Sequence, residues 1–397
     1  MFIKTNQLND KNVHLINLNR ILRALILLWP VMTLIYLSKG LSFFEIGLLN
    51  SVGSIVIAVL EVPSGLLADK FGRKKNLIIG NFLNILFVLL LYISQHFYGL
   101  LLAEIVFSVA SCLISGTDAS LLYDSLKQKN LEKEYAKVVA KNRSITIFLS
   151  IFTVILATFL LEKYTWLLFL SSFLLYLTMF GATMFLTEMK NLSENEEEAD
   201  TKKAKPSFLT AFKKNQLFLF LALFSSVIIL LVSNLSVLAA PILIGNGMKL
   251  KHTGYVMAGA KILSIILLRN QSRILKLLQK NVLKRLTTLL FVSTMLTLVI
   301  NSSYYWIYLI CLVLAVNNFL QPLISEKMNQ LISSKNRTTM LSISNMLDNV
   351  LFFGGDPALG FSIDKVGYNR TFGSFGILLC LGFPLYAFVK PKLFKEK

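Results

Sequence analysis

The sequence predicts an all-α integral membrane protein with twelve transmembrane helices in two six-helix bundles, which is supported by three observations. The first is composition: of 397 residues, 55% are hydrophobic and 15% are charged, a balance outside the range of soluble globular domains. The second is the recurrence of apolar stretches of membrane-spanning length. The third is the concentration of most cations in alternate loops between those stretches.

Twelve apolar stretches are each long enough to cross a hydrocarbon core of about 30 Å as a helix. Lipid leaves no water for backbone polar groups, and each stretch is about twice as long as a barrel strand, so helices are predicted. The first stretch is too long for a signal peptide and lacks a small-residue cleavage site. The predicted spans are 17–38, 44–67, 76–94, 97–126, 143–162, 164–187, 215–240, 253–272, 285–302, 303–326, 338–360 and 367–389.

The net charge of +19 is distributed as in a membrane protein rather than as in a nucleic-acid-binding protein. With both termini taken as cytoplasmic, the cytoplasmic segments hold nearly all lysines and arginines, including Arg20 and Arg23 at the start of the first span. The positive-inside rule therefore predicts cytoplasmic termini, and no nucleic-acid partner is expected. The cations left for the external loops are Lys39, Lys163, Lys249, Lys251, Lys365 and Arg370.

The sequence contains no motif for metal binding or hydrolysis. Cys112, Cys311 and Cys380 lie inside predicted spans without metal-like spacing, and the histidines are far apart. Neither a GxxxxGK(S/T) phosphate loop nor a GxSxG elbow occurs. We therefore expect no metal, no cofactor and no enzyme activity.

A polar stretch between the sixth and seventh spans divides the chain into two halves. It reads EMKNLSENEEEADTKKAKPSFLTAFKKN and changes from acidic to basic along its length. We predict an N-terminal bundle at 1–187, a cytoplasmic linker at 188–214 and a C-terminal bundle at 215–397. Two equal halves joined by a charged linker are typical of a transporter with a central solute site. The alternative is that this stretch is only a long cytoplasmic loop.

The loop between the second and third spans carries the most specific motif, within EVPSGLLADKFGRKKNLIIG at 61–80. Glycine at Gly65 allows close approach of another helix, and Gly72 permits a tight turn. The carboxylate of Asp69 can accept hydrogen bonds from the N-terminal end of a neighbouring helix, and Arg73 can hold a carboxylate in its fork. The order of residues resembles the signature loop of the major facilitator superfamily, G-x-x-x-D-(R/K)-x-G-(R/K)-(R/K).

The resemblance implies a conformational role for this loop, which latches the two halves on the cytoplasmic side in that family. The corresponding loop after the eighth span, LLRNQSRILKLLQK, lacks the glycine and the aspartate, and the fifth span lacks the Gly-Pro motif of drug–proton antiporters. A standard drug–proton exchanger is therefore not predicted. The expected latch residues are Gly65, Asp69, Gly72, Arg73, Lys74, Asp124 and Arg143, with Asp124 clasping Arg73 or Arg143.

Ionisable side chains inside spans are costly, so each is a functional candidate with a structural alternative. Glu61, Asp118 and Asp348 are the candidates for proton coupling. Asp118 has no cation close to it in the sequence, which suits a residue that loads and releases a proton. Asp348 either neutralises Lys261, a structural role, or the two act separately.

The resemblance also implies that the first, fourth, seventh and tenth spans form the solute cavity. Asn345, Asp348 and Asn349 share one helical face in the eleventh span, which is too polar to face lipid. The candidate cavity residues are Trp29, Tyr36, Glu104, Asn234, Lys261, Asn317, Asn318, Gln321 and Asn345.

These observations predict a secondary transporter in a bacterial cytoplasmic membrane that moves a small amphipathic solute by alternating access. Proton-coupled efflux by a monomer is expected, with sodium as the other possible coupling ion. The alternative from another class is a membrane partner or sensor that has lost transport, which the incomplete second loop allows.

Overall fold

The computed structural model describes residues 11–131, 134–188, 216–271, 273–274, 289, 292–300, 302–331 and 337–389. These residues form helices and connecting turns without a strand, so the predicted all-α fold is confirmed. Contacts divide the chain into a first unit, Met1–Val31 with Val52–Lys205, and a second unit, Met32–Ser51 with Pro206–Lys397. Residues 189–215, which contain nearly all of the expected linker, lie outside the described residues.

Eight described segments are long and apolar enough to cross a membrane. Three more of the predicted spans, 253–272, 338–360 and 367–389, lie largely in two further helices, and part of 285–302 is outside the described residues. The elements up to residue 188 are α1 (Lys11–Ala24), a 3-10 turn (Trp29–Val31), α2 (Met32–Ser38), α3 (Phe43–Phe71), α4 (Arg73–Ile93), α5 (Phe97–Ile114), α6 (Thr117–Lys127), α7 (Tyr135–Lys163) and α8 (Thr165–Met184). Those after residue 215 are α9 (Gln216–Gly245), α10 (Leu250–Arg269), a 3-10 turn (Leu296–Leu298), α11 (Ser303–Leu331) and α12 (Arg337–Val389), which is kinked at Gly367.

The first and fourth predicted spans are interrupted rather than continuous. The first breaks between α1 and the 3-10 turn at Pro30, and the fourth breaks at Gly116, whose φ of +69° disfavours any side chain. A broken helix leaves unpaired backbone groups at its ends. One of these is satisfied across the unit, because the Thr153 hydroxyl on α7 donates to the Ala24 carbonyl at the end of α1, at 2.9 Å.

The first unit packs around α4 and α1. The helix α4 lies against α5 and α8, and α1 lies against α6, α7 and α8. At one end, Asn12 ties α1 to the chain after α8, since its side chain both donates to and accepts from Thr187 at 2.9–3.0 Å. The apolar core of this region is Val13, Ile16, Leu77, Ile114, Leu121, Leu122, Leu126, Val138 and Leu186.

The second unit contains α9 packed on α10, α11 and α12, together with the first turns of α3. A Cβ added to Gly360 on α12 would lie 2.2 Å from the Phe43 carbonyl oxygen, and one on Gly47 would lie 2.5 Å from the Asp356 carbonyl oxygen. The Asp364 carboxylate accepts hydrogen bonds from the amides of Phe43 and Phe44, at 3.1 and 2.8 Å. The start of α3 is therefore held by close backbone contact and by a carboxylate at its N-terminal end.

Replacing Gly360 by Ala should destabilise the protein, because the new methyl group would overlap backbone atoms that cannot move without displacing α3. The expected loss is about 1–3 kcal/mol, measured as a lower melting temperature of the purified protein in detergent. The matched control is Gly354→Ala on the same helix, where no described atom lies within 4 Å of an added Cβ. Equal melting temperatures for the two variants would contradict the close contact.

Candidate functional site

Two adjoining cavities lie in the first unit, with volumes of about 480 and about 420 Å³. Arg23 and Asp118 line both of them. The larger cavity is bounded by residues next to the breaks in the first and fourth spans, among them Trp29 and Gly116. The interrupted spans therefore supply a polar, accessible site inside a largely apolar bundle.

An ion pair lines the smaller cavity, and its acidic member also lines the larger one. Arg20 Nε lies 3.1 Å from Asp118 Oδ2, and the two side chains are 17% and 20% exposed. Asp118 lies in the first turn of α6, where the helix dipole favours a negative charge. Arg20 is 98 residues away in the chain, so this partner of Asp118 was not visible from sequence spacing.

Aromatic rings form one wall of the larger cavity. Phe87 lies nearly parallel to Trp29, with ring centroids 6.0 Å apart and planes 12° apart, and the Phe107 centroid is 4.6 Å from Trp29. Phe87 is fully buried, whereas Trp29 is 38% exposed. The neighbouring rings thus hold the Trp29 indole in place and leave part of it open to the cavity.

The larger cavity also contains an unsatisfied amide. Asn84 is 3% exposed, and its Oδ1 has no hydrogen-bond partner. Because the oxygen and nitrogen of an amide are assigned from their hydrogen bonds, the finding is that one end of the Asn84 amide has no hydrogen-bond partner. A buried polar atom without a partner is costly, and a bound solute could provide the missing hydrogen bond.

The signature loop is built as a helix-to-helix turn. Gly72 has a φ of +99° and lies between α3 and α4. Arg73 Nη1 forms an ion pair with Asp124 on α6. Of the two partners that the sequence left open for Asp124, the structure therefore shows Arg73. The side chains are 12% and 15% exposed, so the pair is largely removed from solvent.

Glu188 caps the helix that follows this turn. Its two carboxylate oxygens accept hydrogen bonds from the amides of Arg73 and Lys74, at 2.9 and 3.0 Å. A Cβ on Gly72 would lie 2.6 Å from this carboxylate, which is the movable end of an exposed side chain, so the positive φ is the stronger reason for glycine here. At Gly65, by contrast, no described atom lies within 4 Å of an added Cβ, and the predicted role of this glycine in close helix approach stays a prediction.

A buried carboxylate in the second unit was missed by the sequence analysis. Asp356 on α12 is 6% exposed, and its Oδ1 accepts a hydrogen bond from Asn234 on α9 at 2.8 Å. Its position in the span predicted at 338–360 was the available signal. The same helix carries Asp348, and the Ser226 hydroxyl lies near that carboxyl group.

The remaining predicted site residues are dispersed. Trp29 belongs to the first unit and Tyr36 to the second. Lys261 and Asp348 are both half-buried, and their pairing stays a prediction. The Gln321 side chain donates a hydrogen bond to Asn317 Oδ1 at 3.3 Å. Glu61 and Arg143 are exposed, and Glu104 is half-buried. The side chains of Asp69, Asn318 and Asn345 lie outside the described residues.

Sequence reasoning also missed residues that line the larger cavity or cap the loop. Arg23 was interpreted as a topology signal, although it falls within the predicted span 17–38, and that position was the clue to its role. Phe107, Tyr176 and Asn84 lie among many similar residues in apolar helices, so no sequence signal singled them out. Glu188 was assigned to the linker.

Replacing Gly72 by Ala should disrupt the turn, because alanine at this φ is strained and its methyl group would displace the Glu188 carboxylate. We expect a lower melting temperature and reduced transport activity. The matched control is Gly181→Ala on α8, where no described atom lies within 4 Å of an added Cβ, and this variant should behave like the parent. If both alanine variants keep full activity and stability, the turn does not depend on this glycine.

The comparisons with known proteins agree with this architecture. The chain is 23% identical over 372 residues to the uncharacterized MFS-type transporter YxaM of Bacillus subtilis (strain 168), with 92% of each chain covered. Its fold is similar to crystal structures of a mutant nucleoside transporter NupG (TM-score 0.75, 13% identity, 97% of this chain and 100% of that one) and of a D-xylose-proton symporter (TM-score 0.69, 11% identity, 94% and 96%). A family model, the Major Facilitator Superfamily, matches residues 21–355, and this protein therefore belongs to the major facilitator superfamily of membrane transporters.

Proposed function

We propose that this protein is a secondary active transporter that exports a small amphipathic solute across a bacterial cytoplasmic membrane in exchange for protons. It acts as a monomer with both termini in the cytoplasm, and its bundles at 1–187 and 215–397, linked by 188–214, alternate access to the solute site. Export is the direction in which an inward proton gradient drives an antiporter. Sodium is the alternative coupling ion.

The observation that carries this proposal is the Arg20–Asp118 ion pair beside the first-unit cavities. Protonation of Asp118 removes its charge and leaves Arg20 without its counter-ion in a partly desolvated site. An uncompensated charge there is unfavourable, so the state of Asp118 changes how strongly the cavity attracts a charged or polar solute. Protonation of Asp118 and binding of the solute then both act on Arg20, so the two events are thermodynamically linked.

The direct test is flux in proteoliposomes that contain a pH-sensitive dye. We expect the right member of a solute panel to cause proton movement in vesicles holding the protein and none in protein-free vesicles. A protonophore should abolish uphill solute movement. Replacement of the proton gradient by a sodium gradient separates the two coupling ions, and an absence of flux for every solute and ion would contradict the transporter proposal.

Replacing Asp118 by Asn should abolish uphill transport while downhill exchange of the same solute continues. The amide preserves shape and hydrogen bonding but cannot titrate, so the proton is no longer carried. The measurement compares gradient-driven accumulation with counterflow in proteoliposomes. Glu162→Gln, an exposed carboxylate at the end of α7, is the matched control and should leave both activities unchanged. Full uphill pumping by the Asp118 variant would transfer the coupling role to Glu61 or Asp348.

The two ends of α3 should control access in opposite directions. Asp364→Asn weakens the carboxylate that holds the start of α3, on the side predicted to be external, whereas Asp69→Asn removes a charge from the signature loop. With a reporter Ser111→Cys in the cavity, we expect Asp364→Asn to raise labelling by external reagents and Asp69→Asn to raise labelling from the cytoplasmic side. Identical labelling patterns in the two variants would contradict both assignments.

A further inference from the structure

We propose that the first-unit cavity binds a planar aromatic anion, with Arg23 receiving the anionic group and Trp29 contacting the ring. This inference rests on the proposed function, because it names the class of solute that the transporter moves. The charge of the cavity, the helix end that opens into it and its aromatic wall each support the assignment.

The charged groups around the cavities favour an anion. Arg20 and Asp118 offset one another at 3.1 Å, and Asp118 is the one acidic side chain among the described residues that line either cavity. Arg23 lines both cavities, and no described residue forms an ion pair with it. Arg143 adds a further positive charge to the smaller cavity. A guanidinium in this setting matches the planar geometry of a carboxylate.

A helix N-terminus adds positive potential to the same place. The 11-residue helix α6 begins at Thr117, and Ser115 and Gly116 just before it line the larger cavity. The first amides of a helix have no partner within the helix, and together with the dipole they attract negative charge. Arg23 and the start of α6 therefore favour the same sign of ligand.

The aromatic wall selects a flat ring. Trp29 is held by Phe87 and Phe107 and keeps 38% of its surface exposed, so a ring can lie against it without rearrangement. The Asn84 amide, buried and lacking one partner, can hydrogen-bond a polar substituent at the ring edge. An aromatic wall could also accept an organic cation, but the positive charge of Arg23, which forms an ion pair with no described residue, opposes one.

This solute class also accounts for the proposed direction of transport. A cell membrane is negative inside, and this potential drives anions outwards. An anion leaving in exchange for an entering proton therefore uses both the electrical and the chemical parts of the gradient.

The test measures binding to the purified full-length protein in detergent, separately from transport. The probes are 1-naphthoate, 1-naphthylmethylammonium, which has the same ring and the opposite charge, and hexanoate, an anion without a ring. We expect 1-naphthoate to bind at least tenfold more tightly than either of the others, by calorimetry. Equal or tighter binding of the ammonium probe, or no binding of any probe, would overturn the proposal.

Variants then assign the two contacts. Arg23→Gln should weaken 1-naphthoate binding at least tenfold, whereas Arg23→Lys should keep the preference for the anion over the cation. Trp29→Leu should remove the advantage of 1-naphthoate over hexanoate. The matched controls are Lys163→Gln and Trp166→Leu, two exposed residues outside both cavities, and neither should change binding. Unchanged affinity in Arg23→Gln would overturn the assignment.

Binding and flux fail independently, so the two proposals can be told apart. The predicted order of probe affinities without flux in proteoliposomes supports the solute class and contradicts the transport function. Proton-coupled flux of an organic cation, with no binding of 1-naphthoate, supports transport and overturns the solute class.

Discussion

The absence of water from the bilayer core is the constraint on which this structure depends, because every backbone group and charge there needs a partner within the protein. The first and fourth predicted spans are interrupted, which creates helix ends that need partners. Thr153 satisfies the Ala24 carbonyl at the end of α1, and Asp118 lies at the positive end of α6 beside Arg20. Ala24, Asp118 and Arg20 also line the smaller cavity, so two of the helix ends created by the breaks lie at that cavity.

The second unit meets the constraint differently, by bringing backbones together. Lipid tails are as apolar as leucine side chains, so the hydrophobic effect does not drive helices together in a membrane. Helices associate there through close packing and hydrogen bonds. Gly47 and Gly360 allow α3 and α12 to approach at backbone distance, and the Ser51 hydroxyl donates to the Phe353 carbonyl at 2.8 Å. This contact has little room for a larger side chain, so the start of α3 is fixed by shape.

The sequence predicted the features that are local in the chain. Span length and loop charge depend on consecutive residues, and the turn at Gly72 depends on one φ angle. Such features can be predicted from the sequence. The Arg20–Asp118 pair and the Glu188 cap join distant segments, and spacing in the chain carries no information about them. The grouping of residues 32–51 with the second unit was likewise not expected, since it follows from packing of α2 on α9 and α3 on α12.

One device, a carboxylate near the first turn of a helix, recurs at three places with different consequences. Glu188 at α4 and Asp364 at α3 are exposed, so water can replace either group and each contributes modestly to holding a helix end. Asp118 at α6 is 20% exposed and shares its charge with Arg20. Because solvent compensates a change of charge poorly there, protonation of Asp118 must alter its neighbours, whereas protonation of the other two loosens only a helix end. This difference in exposure is the reason that the proposed function assigns coupling to Asp118 rather than to Glu188 or Asp364.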